Sequence, residues 1–261
     1  MESDLSVQLC EACSGSIDEC KRVAELLEAG ADVNCTAEHM RTPLLLALSR
    51  RHEQISQLLV WANADLTVSA SDGLNALHVL AMSTTLPDAA GARLVRMLCE
   101  GHTSAQSEGL DNYGLPRVET VLESRDHECL APLARACYDL NSLVVDALLD
   151  AGSDPNTEAD DGLTPLMLCF LAPTAQGCAR EEVTTIVRQL VLFGARVRDV
   201  VDSKGLDVLH HCRIAGQYDE ALQLLLERQE EEQEGKHASD DEESLGSDGL
   251  PSDPLAKLAL M

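Results

Sequence analysis

The sequence predicts a stacked solenoid, in which similar units each pack only on their neighbours. Two recurring phrases indicate it. One opens a helix, as in "TPLLLAL" at 42, and its copies are spaced by 33, 56, 33 and 43 residues. The other closes a helix, as in "LLEAGADVN" at 26. With one Trp, three Tyr and two Phe in 261 residues, Leu, Val, Ala and Cys must fill many thin core layers.

The opening phrase favours a helix start. Its five copies begin at Thr42, Asn75, Ala131, Thr164 and Asp207. Thr can cap a helix, and Pro fits the first turn without losing a needed N–H, so Thr-Pro at 42 and 164 starts helices well. Ala131 cannot cap, and neither can Val7 in the first unit, so these two starts should be looser.

The closing phrase contains a residue suited to end a helix. These residues are Gly30, Asn63, Gly101, Gly152 and Gly194, and each can adopt the left-handed conformation. In the last unit the same position falls on Arg228, so that helix should run on and fray among glutamates that oppose its dipole.

Both phrases and their period resemble the ankyrin repeat, which implies an all-α solenoid of helix-turn-helix units joined by short hairpin loops. The resemblance covers about 210 residues. We predict an array over 1–227, made of units at 4–36, 37–69, 70–106, 126–158, 159–201 and 202–227 with an insertion at 105–125. The insertion is either a tolerated surface loop or a partner-binding element. Its Val118, Val121 and Leu122 predict a short amphipathic helix folded on the array.

Residues 228–261 form an acidic low-complexity tail that should be disordered, because it cannot bury enough apolar area. Within it, Ser239 precedes "DDEE" and is a candidate phosphorylation site for acidophilic kinases.

Charge and compartment signals restrict the partners. A formal net charge of −26 argues against nucleic acids and anionic membranes and favours a basic protein or peptide. The acidic N-terminus and the lack of a long apolar run predict a soluble chain in the cytoplasm, the nucleus or both. Ten cysteines without framework spacing suit a reducing compartment.

No phosphate-binding loop, nucleophile elbow or zinc-protease motif occurs, so we expect no catalytic residues, no cofactor and no metal. Cys10 and Cys13 form a CxxC, but the repeat places them on the packed face of a helix, where Cys behaves as a small hydrophobe. His78 and His210 stand at the fourth position of the opening phrase, where the ankyrin family keeps a structural His. An enzyme using Cys or His remains an alternative.

The resemblance implies partner binding through the hairpin tips and first-helix faces of the concave side. The leucines among these positions either pack tip against tip or form an apolar track. The basic residues of the second unit are either scattered charge or a patch that could hold the chain's own acidic tail. The candidate residues are His39, Arg41, Arg50, Arg51, Asp72, Leu74, His127, Leu130, Tyr138, Asp161, Leu163 and Lys204.

These observations favour a non-enzymatic protein-binding module or scaffold, acting as a monomer or as a subunit of a hetero-complex. An assembly chaperone or an adaptor subunit for a basic client protein is the alternative. Fold alone does not choose between them.

Overall fold

The structure is a computed structural model that describes residues 2–15, 19–82, 88–106, 118–172, 180–216, 221 and 223–228. The predicted tail beyond residue 228, with Ser239, and residues 107–117 of the insertion lie outside this range. Within it, the helices are α1 (Glu2–Ser14), α2 (Cys20–Glu28), α3 (Pro43–Ser49), α4 (Glu53–Trp61), α5 (Ala76–Ala81), α6 (Ala89–Gln106), α7 (Val118–Leu122), α8 (Pro132–Tyr138), α9 (Ser142–Asp150), α10 (Pro165–Leu171), α11 (Arg180–Leu192) and α12 (Val208–Ala215).

The helices form two layers. In the inner layer, α1, α3, α5, α8, α10 and α12 pack side by side in that order. In the outer layer, α2, α4, α6, α9 and α11 do the same. Each inner helix also packs on the outer helix that follows it, from α1 with α2 to α10 with α11. This arrangement confirms the predicted all-α solenoid, while the exact unit boundaries stay predictions.

Helix starts follow the chemistry of the opening phrase. The side chains of Thr42 and Thr164 accept hydrogen bonds from backbone N–H groups three residues on, at 3.3 and 3.4 Å. Asn75 and Asp207 cap α5 and α12 in the same way. Ala131 makes no side-chain cap at the start of α8, as predicted.

Helix ends follow the closing phrase at four of its five copies. Gly30, Asn63, Gly152 and Gly194 have φ values of 89, 62, 98 and 90°. The prediction is wrong at Gly101, because α6 continues through it to Gln106. Ala or Ser follows each of the four stops, and its N–H bonds back to the helix at 2.9–3.0 Å. At Gly101 the following residue is His102 instead of Ala or Ser.

Five hairpins precede the inner helices, at 37–41, 70–74, 126–130, 159–163 and 202–206. Each is closed by a bond from its first N–H to its last carbonyl, at 2.8–3.1 Å. Three of the four pairs of adjacent hairpins are joined by a backbone hydrogen bond, as where His127 N–H donates to Asp72 O at 3.3 Å. This bond spans the insertion, so stacking continues directly from the third unit to the fourth.

The insertion returns to the array as the predicted short helix. Val121 and Leu122 of α7 are each 2% exposed and belong to the main core. The core is one continuous cluster that runs between the two layers, filled by Leu, Ala, Val and Cys. Trp61, the single tryptophan, takes no part in it and is 70% exposed.

Candidate partner-binding surface

The inner face comprises the five hairpins and the exposed sides of the inner helices, which are the elements that the resemblance assigns to partner binding. Near the start of the chain it carries a groove of about 850 Å³ between α1 and hairpin 37–41. Val7, Glu11 and Ser14 line one wall, and His39 and Arg41 line the other. Helix side chains and hairpin tips therefore face the same space.

The predicted hairpin-tip residues lie on this face. His39, Asp72, His127, Asp161 and Lys204 are all exposed, one in each hairpin. Arg41 is partly exposed, and its guanidinium lies 3.9 Å from the carboxylate of Asp72 in the next hairpin. The tips thus form a row of accessible polar groups, whose binding of a partner stays a prediction.

The leucines at the last position of four hairpins were expected to be exposed, but the structure places them against the array. Leu74 and Leu130 are buried, and Leu163 and Leu206 are partly buried. Leu130 packs with Ala134 and Leu168 in a small separate cluster, to which Tyr138 and Leu163 add partial cover. The apolar-track interpretation is therefore wrong for Leu74 and Leu130, because each hairpin leucine folds down onto neighbouring inner helices.

Arg51 does not contribute to the predicted basic patch of the second unit, because its guanidinium is bonded within the array. Its guanidinium lies 2.8 Å from the buried carboxylate of Asp88 and donates to the carbonyl oxygens of Leu48, Val79, Leu80 and Met82. Arg51 thus ties the ends of α3 and α5 to the start of α6, where Asp88 accepts from Gly91 N–H.

Arg50, next in the chain, is exposed. It remains available together with His39 and the partly exposed Arg41. The pairing of these residues with the acidic tail stays a prediction, since the tail lies outside the described residues.

Two inner helices carry a buried basic residue that the sequence interpretation missed. Arg135 lies 2.7 Å from Asp126, and Nε2 of His211 lies 3.1 Å from the carboxylate of Asp202. In both cases the acid is the first residue of the hairpin and the basic residue stands nine residues later. The pKa of Asp202 is lowered, mainly because its carboxylate accepts a hydrogen bond from the N–H group of Leu206. The N–H group of Lys204 and the contact with His211 lower this pKa further, and together these effects outweigh desolvation, which raises it.

The other three units that begin with a described hairpin have an apolar pair at the same two positions. The pairs are Ala37 with Leu46, Ala70 with Val79, and Ala159 with Leu168. Among these five units, the acid and the basic residue occur together or are absent together. Comparing positions nine residues apart would have found this signal in the sequence.

The two histidines of the opening phrase differ. His78 is fully buried, and its Nε2 lies 2.9 Å from the carbonyl oxygen of Leu130 in the next hairpin. It links neighbouring units, as the resemblance implied. His210 is exposed, so the structural role expected there is wrong. No further hairpin follows α12 in the described part of the chain, so the imidazole has no carbonyl to bond.

Cysteines pack as small hydrophobes. Cys10 and Cys13 are 7% and 0% exposed, and burial raises the pKa of each thiol to about 12. The Cys35 thiol lies 3.6 Å from that of Cys10. Among the described side chains, no three of His, Cys, Asp and Glu are grouped so that they could hold a metal ion.

An apolar strip on the inner face was largely missed. Seven residues after the start of each opening phrase, the third to sixth units carry Met82, Tyr138, Leu171 and Ile214. Met82, Leu171 and Ile214 are 41%, 42% and 68% exposed, and Tyr138 is partly exposed. Only Tyr138 was among the candidates. The equivalent residue of the first unit, Ser14, lines the groove described above, so this position faces the inner side.

None of the described helices is both long enough and apolar enough to cross a membrane.

Comparison with known proteins gives distant relatives. No model of a protein family matches the sequence. The chain is 32% identical over 176 residues to Rabankyrin-5 of Mus musculus and 29% identical over 175 residues to Rabankyrin-5 of Homo sapiens. Each match covers 67% of this chain and 13% of the relative. The chain therefore corresponds to a small part of these proteins.

Solved structures agree with the architecture. An ankyrin repeat domain from Acinetobacter baumannii matches with a TM-score of 0.66 at 20% identity, covering 85% of this chain and 97% of that one. The ankyrin repeat protein EF0377 matches with a TM-score of 0.63 at 16% identity, covering 83% and 96%. Such folds generally bind other proteins through extended surfaces and are typically not enzymes. By its fold, this chain is an ankyrin-repeat protein.

Proposed function

We propose that the chain is a non-enzymatic binding module or scaffold that holds a partner protein on its concave inner face. The observation that carries the proposal is the apolar strip, Met82, Tyr138, Leu171 and Ile214, which recurs near the ends of successive packed inner helices. Apolar side chains that are exposed in such a row mark interaction sites more often than scattered exposed residues do.

Site-specific photo-crosslinking in cells tests this proposal. A photoreactive amino acid replaces Asp72 or Asp161 on the inner face, and Gln57 on outer helix α4 serves as the exposed control. We expect both inner positions to crosslink to the same protein and Gln57 to give no such product. Equal crosslinking from Gln57, or none from either inner position, would refute the proposal.

An acidic surface gives a second candidate function, that of an assembly chaperone or adaptor subunit for a basic client. The net charge of −26 favours it. A complex that dissociates between about 0.05 and about 0.5 M salt supports this role, because exposed charge pairs are screened at high ionic strength. A complex that resists salt supports the scaffold.

We further propose that the chain works as a monomer or hetero-complex subunit in the cytoplasm, the nucleus or both, where its ten cysteines would stay reduced. Fractionation of cells with blocking of free thiols tests this. Recovery of the chain in an oxidising compartment would contradict it.

A further inference from the structure

The apolar strip has a regular spacing that restricts what can cover it. Met82 directly follows α5, and Tyr138, Leu171 and Ile214 lie in the last turns of α8, α10 and α12. These four helices pack side by side in this order. Packed helices lie about 8–10 Å apart, so successive side chains of the strip repeat at roughly this distance. A three-residue turn of a polyproline II helix advances about 9 Å and returns every third side chain to one face. An extended segment of this kind therefore matches the strip in register.

Negative charge surrounds the middle of the strip. Arg135 is contacted by two carboxylates, Asp126 at 2.7 Å and Glu128 at 2.9 Å. Asp139 follows Tyr138 directly and adds a third. Desolvation raises the pKa of Asp139, while Arg135 opposes this shift and Glu128 adds to it. One arginine thus faces three acids beside Tyr138, so a cation brought by a partner would be stabilised there.

The next hairpin extends this negative surface. Asp160 and Asp161 are exposed at its tip, and the nearest arginine, Arg125, lies 3.7 Å from Asp160 in a solvent-exposed pair. Such a pair is worth little and can be exchanged for a partner's cation at small cost. Acidic groups therefore follow the strip along the fourth and fifth units.

Building on the proposed function, we propose that the apolar strip binds an extended basic segment of a partner protein, with a bulky apolar side chain at every third residue and Lys or Arg between them. The apolar side chains fill the spaces beside Met82, Tyr138, Leu171 and Ile214. The cations meet the carboxylates of Glu128, Asp139, Asp160 and Asp161.

A direct test uses a fluorescein-labelled peptide of four Leu-Pro-Lys triplets, in which proline favours the extended conformation. Fluorescence anisotropy with the full chain at low salt should show saturable binding. A peptide of the same composition with its leucines grouped at one end, and one with Glu in place of Lys, should each bind at least about tenfold more weakly. Absence of binding by the first peptide, or equal binding of the Glu peptide, would overturn the proposal.

Matched variants locate the binding. The double variant Leu171→Ser with Ile214→Ser replaces two strip residues by serine, which is the residue at this position of the second unit (Ser49). This variant should bind the peptide about tenfold or more weakly. The control is Leu192→Ser, which changes a 77% exposed leucine on outer helix α11 and should leave binding unchanged. Circular dichroism confirms that both proteins fold. An equal loss with Leu192→Ser would place the peptide elsewhere.

The crosslinking and variant experiments together distinguish failure of the proposed strip contact from failure of the proposed function. If inner-face positions crosslink a partner in cells while the double serine variant binds that partner normally, the proposed function stands and the strip is not its contact. If inner-face positions give no crosslink, the proposed function itself is wrong.

Discussion

Nε2 of His78 lies 2.9 Å from the backbone carbonyl oxygen of Leu130, 52 residues further along the chain. A carbonyl only accepts, so Nε2–H is the donor, while Nδ1 faces Asn75, whose side-chain Oδ1 lies at 2.8 Å and whose backbone N–H lies at 3.4 Å. One imidazole therefore closes the capping box of α5 and holds the next hairpin. This bond spans the insertion and couples the two halves of the array.

Stability should fall on acidification through His78. Burial lowers the pKa of this imidazole, outweighing the opposite effect of the Leu130 carbonyl. Below the ordinary histidine pKa of about 6.5, the unfolded chain takes up a proton that the folded chain resists, so stability decreases as pH falls. Urea unfolding at about pH 7.5 and about pH 5.5 should show this decrease, and His78→Gln should reduce it.

His210→Gln is the control for that experiment, because the imidazole at the same position of the last unit is exposed. It should leave the wild-type pH dependence in place. The same dependence in His78→Gln as in wild type would show that another group is responsible.

Arg51 should matter far more to stability than its neighbour Arg50. Arg51→Ala leaves the carboxylate of Asp88, 5% exposed, without its cation, and loss of one partner of a buried pair costs about 3–5 kcal/mol. Arg50 is exposed, so Arg50→Ala should change the free energy of unfolding by less than about 0.5 kcal/mol. Chemical denaturation of both variants measures the difference, and similar small losses would mean that Asp88 reaches solvent.

Asp126 and Arg135 should be energetically coupled. Arg135→Leu alone leaves the buried carboxylate of Asp126 without its cation, and Asp126→Ala alone leaves Arg135 with only the exposed Glu128. Each should cost on the order of 2–3 kcal/mol. The double variant reproduces the Ala159 and Leu168 pair of the next unit, so it should lose less than the sum by about 0.5–3 kcal/mol. A double-mutant cycle by urea unfolding gives the coupling. Strict additivity would show that the two side chains act independently.

Core leucines of the outer layer should contribute to stability in separate units of the array. Leu59 and Leu149 are 0% and 2% exposed, so Leu59→Ala and Leu149→Ala should each cost about 2–5 kcal/mol. Leu192→Ala, at an exposed position, is the control. Losses under roughly 0.5 kcal/mol at both buried sites would contradict the packing described above.

Buried thiols should react slowly. Because burial raises the pKa of Cys10 and Cys13 to about 12, both remain protonated at neutral pH, and the thiolate is the reactive form. Mass spectrometry after iodoacetamide treatment should show little alkylation at these two residues in the folded chain and full alkylation after denaturation. Stoichiometric zinc that is lost in Cys10→Ser would instead identify a metal site.

Local chemistry in the sequence determined the repeat, the helix starts and most helix ends. A Thr or Asn at the start of a helix bonds to N–H groups three residues away, and a Gly or Asn at its end adopts φ > 0 within one turn. Neither depends on distant contacts, so both can be predicted from neighbouring residues. Gly101 differs from the four working stops in the residue that follows it, which is His102 instead of Ala or Ser.

Only the tertiary structure decided which side chains are accessible. Leu74 and Leu130 are buried and Arg51 is bonded because the next unit covers them, whereas His210 is exposed because no described hairpin covers it. Met82, Leu171 and Ile214 are apolar, yet each is exposed near the end of its inner helix. Burial depends on what stacks above a residue, and the local sequence does not contain that information.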